Sequence, residues 1–190
     1  MKGTLAVTGD PDADGLLNTD PLALLVGMLL DQQVPMETAF AGPAKLRDRI
    51  GGIDAATIAE FDPQQLEAVF KQPPSIHRFP GSMAGRVQAL CAAVIADWNG
   101  DAAAIWTKGD PTGAEILARL KALPGFGEQK AKIFLALLGK RYDVDAAGWR
   151  DAAGDYGTEG SYRSVADIVD AASLTKVREF KRAAKAAAKA

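Results

Sequence analysis

The stretch Leu123-Pro124-Gly125-Phe126-Gly127 constrains this chain more than any other. A helical run, Ala114 to Ala122, stops at a Pro-Gly-x-Gly turn, and a second apolar run, Ile133 to Leu138, follows at once. Two glycines two apart permit backbone angles closed to residues with a Cβ. They also clear side chains from the start of the second helix. The first amides of a helix lack internal partners and lie at the positive end of its dipole. Bared in this way they form an anion site, for which phosphate is the usual occupant. An ordinary helix-turn-helix corner satisfies the same spacing, so the turn alone leaves both readings open.

The rest of the chain is helical in pattern. Strand-like alternation is scarce and 3.6-residue periodicity dominates, which predicts an all-α fold. The length, 190 residues, suits one compact unit or two small lobes. Residues 1–19 read as an extended or irregular arm, with Leu5-Ala6-Val7 as a short strand-like piece. Asp20-Pro21 caps a helix running to about Gln33 that is apolar over most of its circumference, and so belongs in a core. A helix from Pro35 is interrupted at Gly42-Pro43 and resumes to Ile50. Asp54 and Asp62-Pro63 cap short helices to Phe61 and Lys71, and the proline-rich segment 72–81 is a loop. Ser82 caps a long helix to Trp98, ended by Asn99-Gly100. A brief helix covers Ala102 to Trp106, and Thr112 starts the next. After Leu138 the pattern predicts a glycine, a loop and a glycine-punctuated region. Ser164 then caps a helix to Ala171, and Ser173 caps the last.

The single cysteine, Cys91, sits in an apolar helical run and reads as a buried small hydrophobe. One cysteine excludes an intramolecular disulfide and a four-cysteine iron–sulfur cluster. The longest apolar run, Leu22 to Leu30, falls short of the roughly 20 residues needed to span a bilayer, and no signal peptide is visible. The expectation is a cytoplasmic monomer without membrane contact, at the nucleoid if the protein is bacterial. The net charge of −2 confines any nucleic-acid footprint to a local patch. The ends are asymmetric: Asp10, Asp12, Asp14 and Asp20 near the start, and Lys176, Arg178, Lys181, Arg182, Lys185 and Lys189 against Glu179 near the finish. A lysine/alanine tail of this kind also suits a simple solvated helix.

The motif L-P-G-x-G-x-x-x-A after an amphipathic helix resembles the hairpin of the helix-hairpin-helix (HhH-GPD) DNA glycosylases, which include endonuclease III and 3-methyladenine glycosylase II. The resemblance implies a two-lobed helical fold. A six-helix barrel lobe would cover 22–138, with the hairpin at 114–138, and residues 1–21 plus 139–190 would form the second lobe. It implies phosphate binding by the amides of Gly125, Gly127, Gln129 and Lys130, with Lys130 and Lys132 adding charge. It also implies a monovalent cation (Na+ or K+) on the carbonyls of Lys121, Leu123 and Phe126.

Leu29-Leu30-Asp31-Gln32-Gln33 resembles the family's L-x-Q-Q segment, from which a glutamine enters the duplex. An amide that both donates and accepts suits that place. Phe79 to Arg86 is a looser match to the family's aromatic turn, with Met83 in place of a basic residue. His77, just upstream, reads as structural or solvated before it reads as a pocket residue. Breaking an N-glycosidic bond needs negative charge near the sugar or a base for water. In the family an aspartate after the hairpin supplies it, and Val144-Asp145 resembles that V-D pair, with Asp143 and Asp151 as runners-up. After Asp145 the chain has Ala146-Ala147-Gly148 where the family carries threonine and histidine. Bifunctional members carry a Schiff-base lysine two residues past the second hairpin glycine; here that position is Gln129, which cannot form an imine. Trp149 is the aromatic candidate for the base pocket. The implied activity is a monofunctional DNA base-excision glycosylase acting on double-stranded DNA with a damaged base. The alternatives are a non-catalytic DNA-binding hairpin protein and a helical protein-interaction domain.

Overall fold

The computed structural model describes residues 3–187; Lys189 of the basic tail lies outside them. Eleven α-helices and no strand are found among the described residues, so the all-α expectation holds. In chain order they are α1 (Pro11–Thr19), α2 (Pro21–Leu30), α3 (Met36–Ile50), α4 (Ala55–Glu60), α5 (Pro63–Lys71), α6 (Pro80–Trp98), α7 (Ala104–Thr107), α8 (Gly113–Lys121), α9 (Glu128–Arg141), α10 (Trp149–Ala153) and α11 (Ala171–Ala187). Two 3-10 turns, Gly154–Gly157 and Val165–Asp167, lie between α10 and α11.

The core is built around α2. Asp20 accepts a hydrogen bond from Ala23 N–H, Pro21 sets the first turn, and every residue from Leu22 to Leu30 is buried. Burying each large aliphatic side chain of this helix is worth about 1.5–3 kcal/mol. No single described helix is long and apolar enough to cross a membrane.

Local signals placed most boundaries, and tertiary contacts moved others. The arm expected over 1–19 instead contains α1, capped by Asp10 with Pro11 at its first position, repeating the Asp-Pro device that opens α2 and α5. Leu5 and Val7 are buried without forming a strand; Asn18 and Asp14 side chains accept their amides. Pro43 does not break α3, which runs through it. Helix α6 starts at Pro80, before Ser82, with no side-chain cap. Ser164 caps only a 3-10 turn, and Asp170 accepts from Ser173 N–H (2.7 Å) at the start of α11.

The largest departure is Gly139, expected to end α9 and found inside it. A Cβ there would lie 2.5–2.6 Å from ring atoms of Trp149, so the indole occupies the space a side chain would fill. Gly113, at the start of α8, makes the matching gap on the other side, against the Trp149 backbone. Helix α10 is thereby seated on both α8 and α9. The segment that follows is fastened to α9 by a buried ion pair, Lys140 Nζ to Asp167 Oδ1 at 2.6 Å. Asp167 also accepts from Ser161 Oγ and from the amides of Arg163 and Ser164, which satisfies the charge that burial would otherwise penalise.

Candidate nucleic-acid interface

Helices α8 and α9 form the hairpin. Thr112 and Glu115 close a capping box at the start of α8, and Gly125 (φ +81°) makes the turn between the helices. A Cβ on Gly125 would overlap the Leu29 side chain, so only glycine allows the turn to lie on α2. Gly127 is the N-cap of α9 and offers no side chain to its amides. A Cβ there would meet nothing within 4 Å. Among the described residues the amides of Gly125, Gly127, Gln129 and Lys130 donate to no acceptor. They face open space at the positive end of a fourteen-residue helix, the arrangement of an anion site. The carbonyls of Lys121 and Phe126 likewise accept no hydrogen bond among the described residues, while that of Leu123 accepts from Phe126 N–H at 3.1 Å. This fits a cation held by carbonyl oxygens. The Phe126 ring itself is core, edge-on to Phe134.

The lysine side chains of the hairpin are placed otherwise than expected. Lys132 pairs with Glu128 at 2.8 Å, and Lys121 approaches the same carboxylate at 3.4 Å. Both hold the Glu128 carboxyl below its ordinary pKa. Lys130 Nζ turns away from the hairpin face and donates to Met28 O (2.7 Å) and Leu29 O (2.9 Å). These are end carbonyls of α2; Met28 O otherwise accepts from Asp31 N–H (3.3 Å) and Leu29 O from Gln32 Nε2. Burial lowers the Lys130 pKa to about 8. The ammonium therefore ties the hairpin to α2 and adds no charge beside a phosphate; only its backbone amide remains available.

That tie fixes the Asp31–Gln33 turn. Gln32 is engaged on both side-chain atoms: its Nε2 donates to Leu29 O (2.8 Å) and its Oε1 accepts from Arg86 (2.9 Å). Gln33 is exposed, with φ +58°, and of the pair it alone projects without an internal partner. His77 is 1% exposed and braces the turn from behind. Its Nδ1 accepts from Phe79 N–H (3.1 Å), so its Nε2 carries the proton and donates to Gln32 O (3.0 Å). Met83 takes the expected basic position because that position is buried in the core. Phe79, by contrast, is exposed under the Arg78 guanidinium.

Desolvation holds the His77 pKa below its ordinary 6.5. Protonation would also displace the Phe79 amide. With the folded value below the unfolded one, the contribution is complete above pH 6.5 and is lost as pH falls through the folded pKa. His77 is the only histidine, so the window is uncluttered. Thermal unfolding from pH 7 to pH 5 should show the wild type losing stability relative to His77→Gln. Parallel curves for the two proteins would refute this account.

A cavity of about 320 Å³ opens beside the start of α9, lined by Gln129, Ile133, Asp155, Tyr156, Arg163, Phe180, Lys181 and Ala184. Gln129 Nε2 donates to Tyr156 Oη at 2.9 Å, and Arg163 holds Asp155 at 3.2 Å. Asp155 is thus the carboxylate that shares a groove with the hairpin helix. Nothing in the spacing around Asp155 marked it; it lies in the glycine-punctuated stretch and is brought to Gln129 by α10 folding back along α9.

The carboxylates singled out from sequence lie elsewhere. Asp145 and Asp143 line a separate cavity with Trp106, Thr107, Asp110 and Pro111. That cavity sits by the first residues of α8 and the last of α9, a helix length away from the hairpin turn. Asp151 is on α10 beside Gly154, Gly157 and Thr158. Trp149 is 7% exposed and wedged between the glycine gaps of α8 and α9, so it packs the core and does not line the groove.

The family model described as "HhH-GPD superfamily base excision DNA repair protein" matches residues 26–188 of the chain. Neither a search of curated proteins nor one of solved structures finds a match.

Proposed function

Because the chain belongs to the HhH-GPD superfamily of base excision DNA repair proteins, we propose that it is a monofunctional DNA N-glycosylase that hydrolyses the bond to a damaged base extruded from a duplex. The observation that carries this reading is the set of partnerless hairpin amides at the start of α9, where Gln129 also lines a groove that holds the carboxylate of Asp155. The amides of Gly125, Gly127, Gln129 and Lys130 hold the phosphates without reading sequence. Gln33 enters the space left by the extruded nucleotide and offsets part of the unstacking cost, about a few kcal/mol. The groove volume lies within the range of small-molecule sites, about 300–1,000 Å³.

Positive charge builds on the sugar as the base leaves. Asp155, positioned by Arg163, stabilises that charge or takes a proton from the attacking water. Gln129 contributes no imine, so the strand is not nicked. A monovalent cation on the Lys121, Leu123 and Phe126 carbonyls would steady the turn that presents the amides.

The test is abasic-site formation on duplexes carrying uracil, alkylated or oxidised bases. Asp155→Asn should lower base release by at least about 100-fold while duplex affinity holds, and Asp145→Asn should stay active. Borohydride should trap no covalent adduct. A competing reading, a DNA-binding protein without chemistry, is favoured by one observation: Asp155 is already engaged by Arg163. Binding with no product across the whole panel would establish that reading and refute the glycosylase.

A further inference from the structure

Helix α11 is attached lightly, with only Ser173 and Val177 buried. Its cations Lys176, Arg178, Lys181, Arg182 and Lys185 face a single acid, Glu179. At 3.6 residues per turn, Arg178, Lys181, Arg182 and Lys185 fall within about 100° of the helix circumference. This stripe borders the face that carries Phe180 and Ala184 into the groove beside Gln129. Arg178 pairs with Glu37 and Lys181 lies 3.8 Å from Asp31, on either side of the turn that presents Gln33. Arg182 and Lys185 have no acidic partner among the described residues.

We propose that this stripe is a second contact for the DNA backbone, running outward from the groove beside the hairpin helix. The inference rests on the base-excision reading. Three observations converge on it. Of the hairpin's own lysines, Lys130 is tied to the end of α2 while Lys121 and Lys132 share the single Glu128 carboxylate, so the amides have little positive charge beside them. The net charge of −2 gives no general attraction for a polyanion. Lys181 lines the cavity shared with the hairpin helix, and the other cations of the stripe continue from it along exposed α11. Arg178 and Lys181 keep 53% and 41% of their side-chain surface exposed. Their partners Glu37 and Asp31 keep only 18% and 12%, so these two pairs hold α11 to the turn that presents Gln33. Arg182 and Lys185, exposed on the same stripe, are the cations free to take phosphates along the strand.

The experiment is a fluorescence-anisotropy titration of an undamaged duplex at several salt concentrations, using the full chain. Each phosphate contact contributes about 0.9 to the slope of log affinity against log salt. Lys185→Ala should lower the slope's magnitude by about 1, and Arg182→Ala with Lys185→Ala by about 2. Both positions are exposed and alanine keeps the helix; circular dichroism checks that it does. Lys108→Ala removes an exposed lysine at the other end of α8 from the hairpin and should leave the slope unchanged. A slope that stays at the wild-type value in the stripe variants, or falls equally in Lys108→Ala, overturns the stripe and leaves the hairpin reading intact. A wild-type chain that ignores the duplex overturns both.

Discussion

Gly127→Asp should leave the fold as stable as before or slightly more so, while weakening duplex binding by about a hundredfold. The two effects have opposite signs because one position serves both. Gly127 is the N-cap of α9, with φ −72° and ψ 172°, angles open to any L-residue, and its side makes no contact that a Cβ would disturb. Aspartate is a better N-cap than glycine by a few tenths of a kcal/mol, and its charge suits the positive helix end. The same carboxylate would accept from the amides that face solvent, and so occupy the acceptor position that a phosphate oxygen needs. Losing two charge-assisted hydrogen bonds at about 1.5–3 kcal/mol each accounts for a hundredfold loss or more. Thermal unfolding and anisotropy on one preparation read both signs. Undiminished affinity with a capped helix would mean that DNA is held elsewhere.

The second large effect is on stability. Gly113→Ala should lower Tm by roughly 2–12 °C, although alanine is the better helix former by about 1 kcal/mol. The added methyl would overlap the Trp149 backbone. The chain before it cannot withdraw without losing the hydrogen bond from Gly113 N–H to Ala147 O at 2.8 Å. Overpacking of this kind costs about 1–3 kcal/mol or more, and each kcal/mol moves Tm by about 2–4 °C in a domain of this size. Gly139→Ala collides with the indole ring instead, and the distinction can be measured. In a Trp149→Ala background, Gly139→Ala should become neutral or mildly stabilising, whereas Gly113→Ala should stay costly. A double-mutant cycle isolates the difference. Equal rescue of both would show that the ring, and not the backbone, sets the spacing at Gly113.

The hairpin was legible because its chemistry is local. A Pro-Gly-x-Gly turn between two amphipathic runs specifies its backbone within a dozen residues, and the family membership of the chain followed from that segment. The caps Asp20, Asp54, Asp62 and Thr112, the left-handed stop at Asn99 and the burial of α2 were legible for the same reason: each needs only neighbours in sequence. Gly139 misled because a glycine is an ordinary helix stop unless something distant requires its missing side chain, and Trp149 does. Pro43 misled in the same way, its cost being overridden by packing on both sides of α3.

The groove belongs to another level. Lys130 finds its acceptors at Met28 and Leu29, about a hundred residues away along the chain, and no spacing rule connects them. Which of the aspartates after the hairpin reaches Gln129 depends on α10 doubling back along α9. That reversal is dictated by two glycine gaps and one indole, so Asp155 is carried to the hairpin and Asp145 is left at the far end. Short-range turn and cap chemistry thus specified the partnerless hairpin amides. The positions of Asp155, Gln33 and Lys181 around them were set by packing between segments that meet only in the folded chain, because side-chain direction and charge neutralisation depend on neighbours in space.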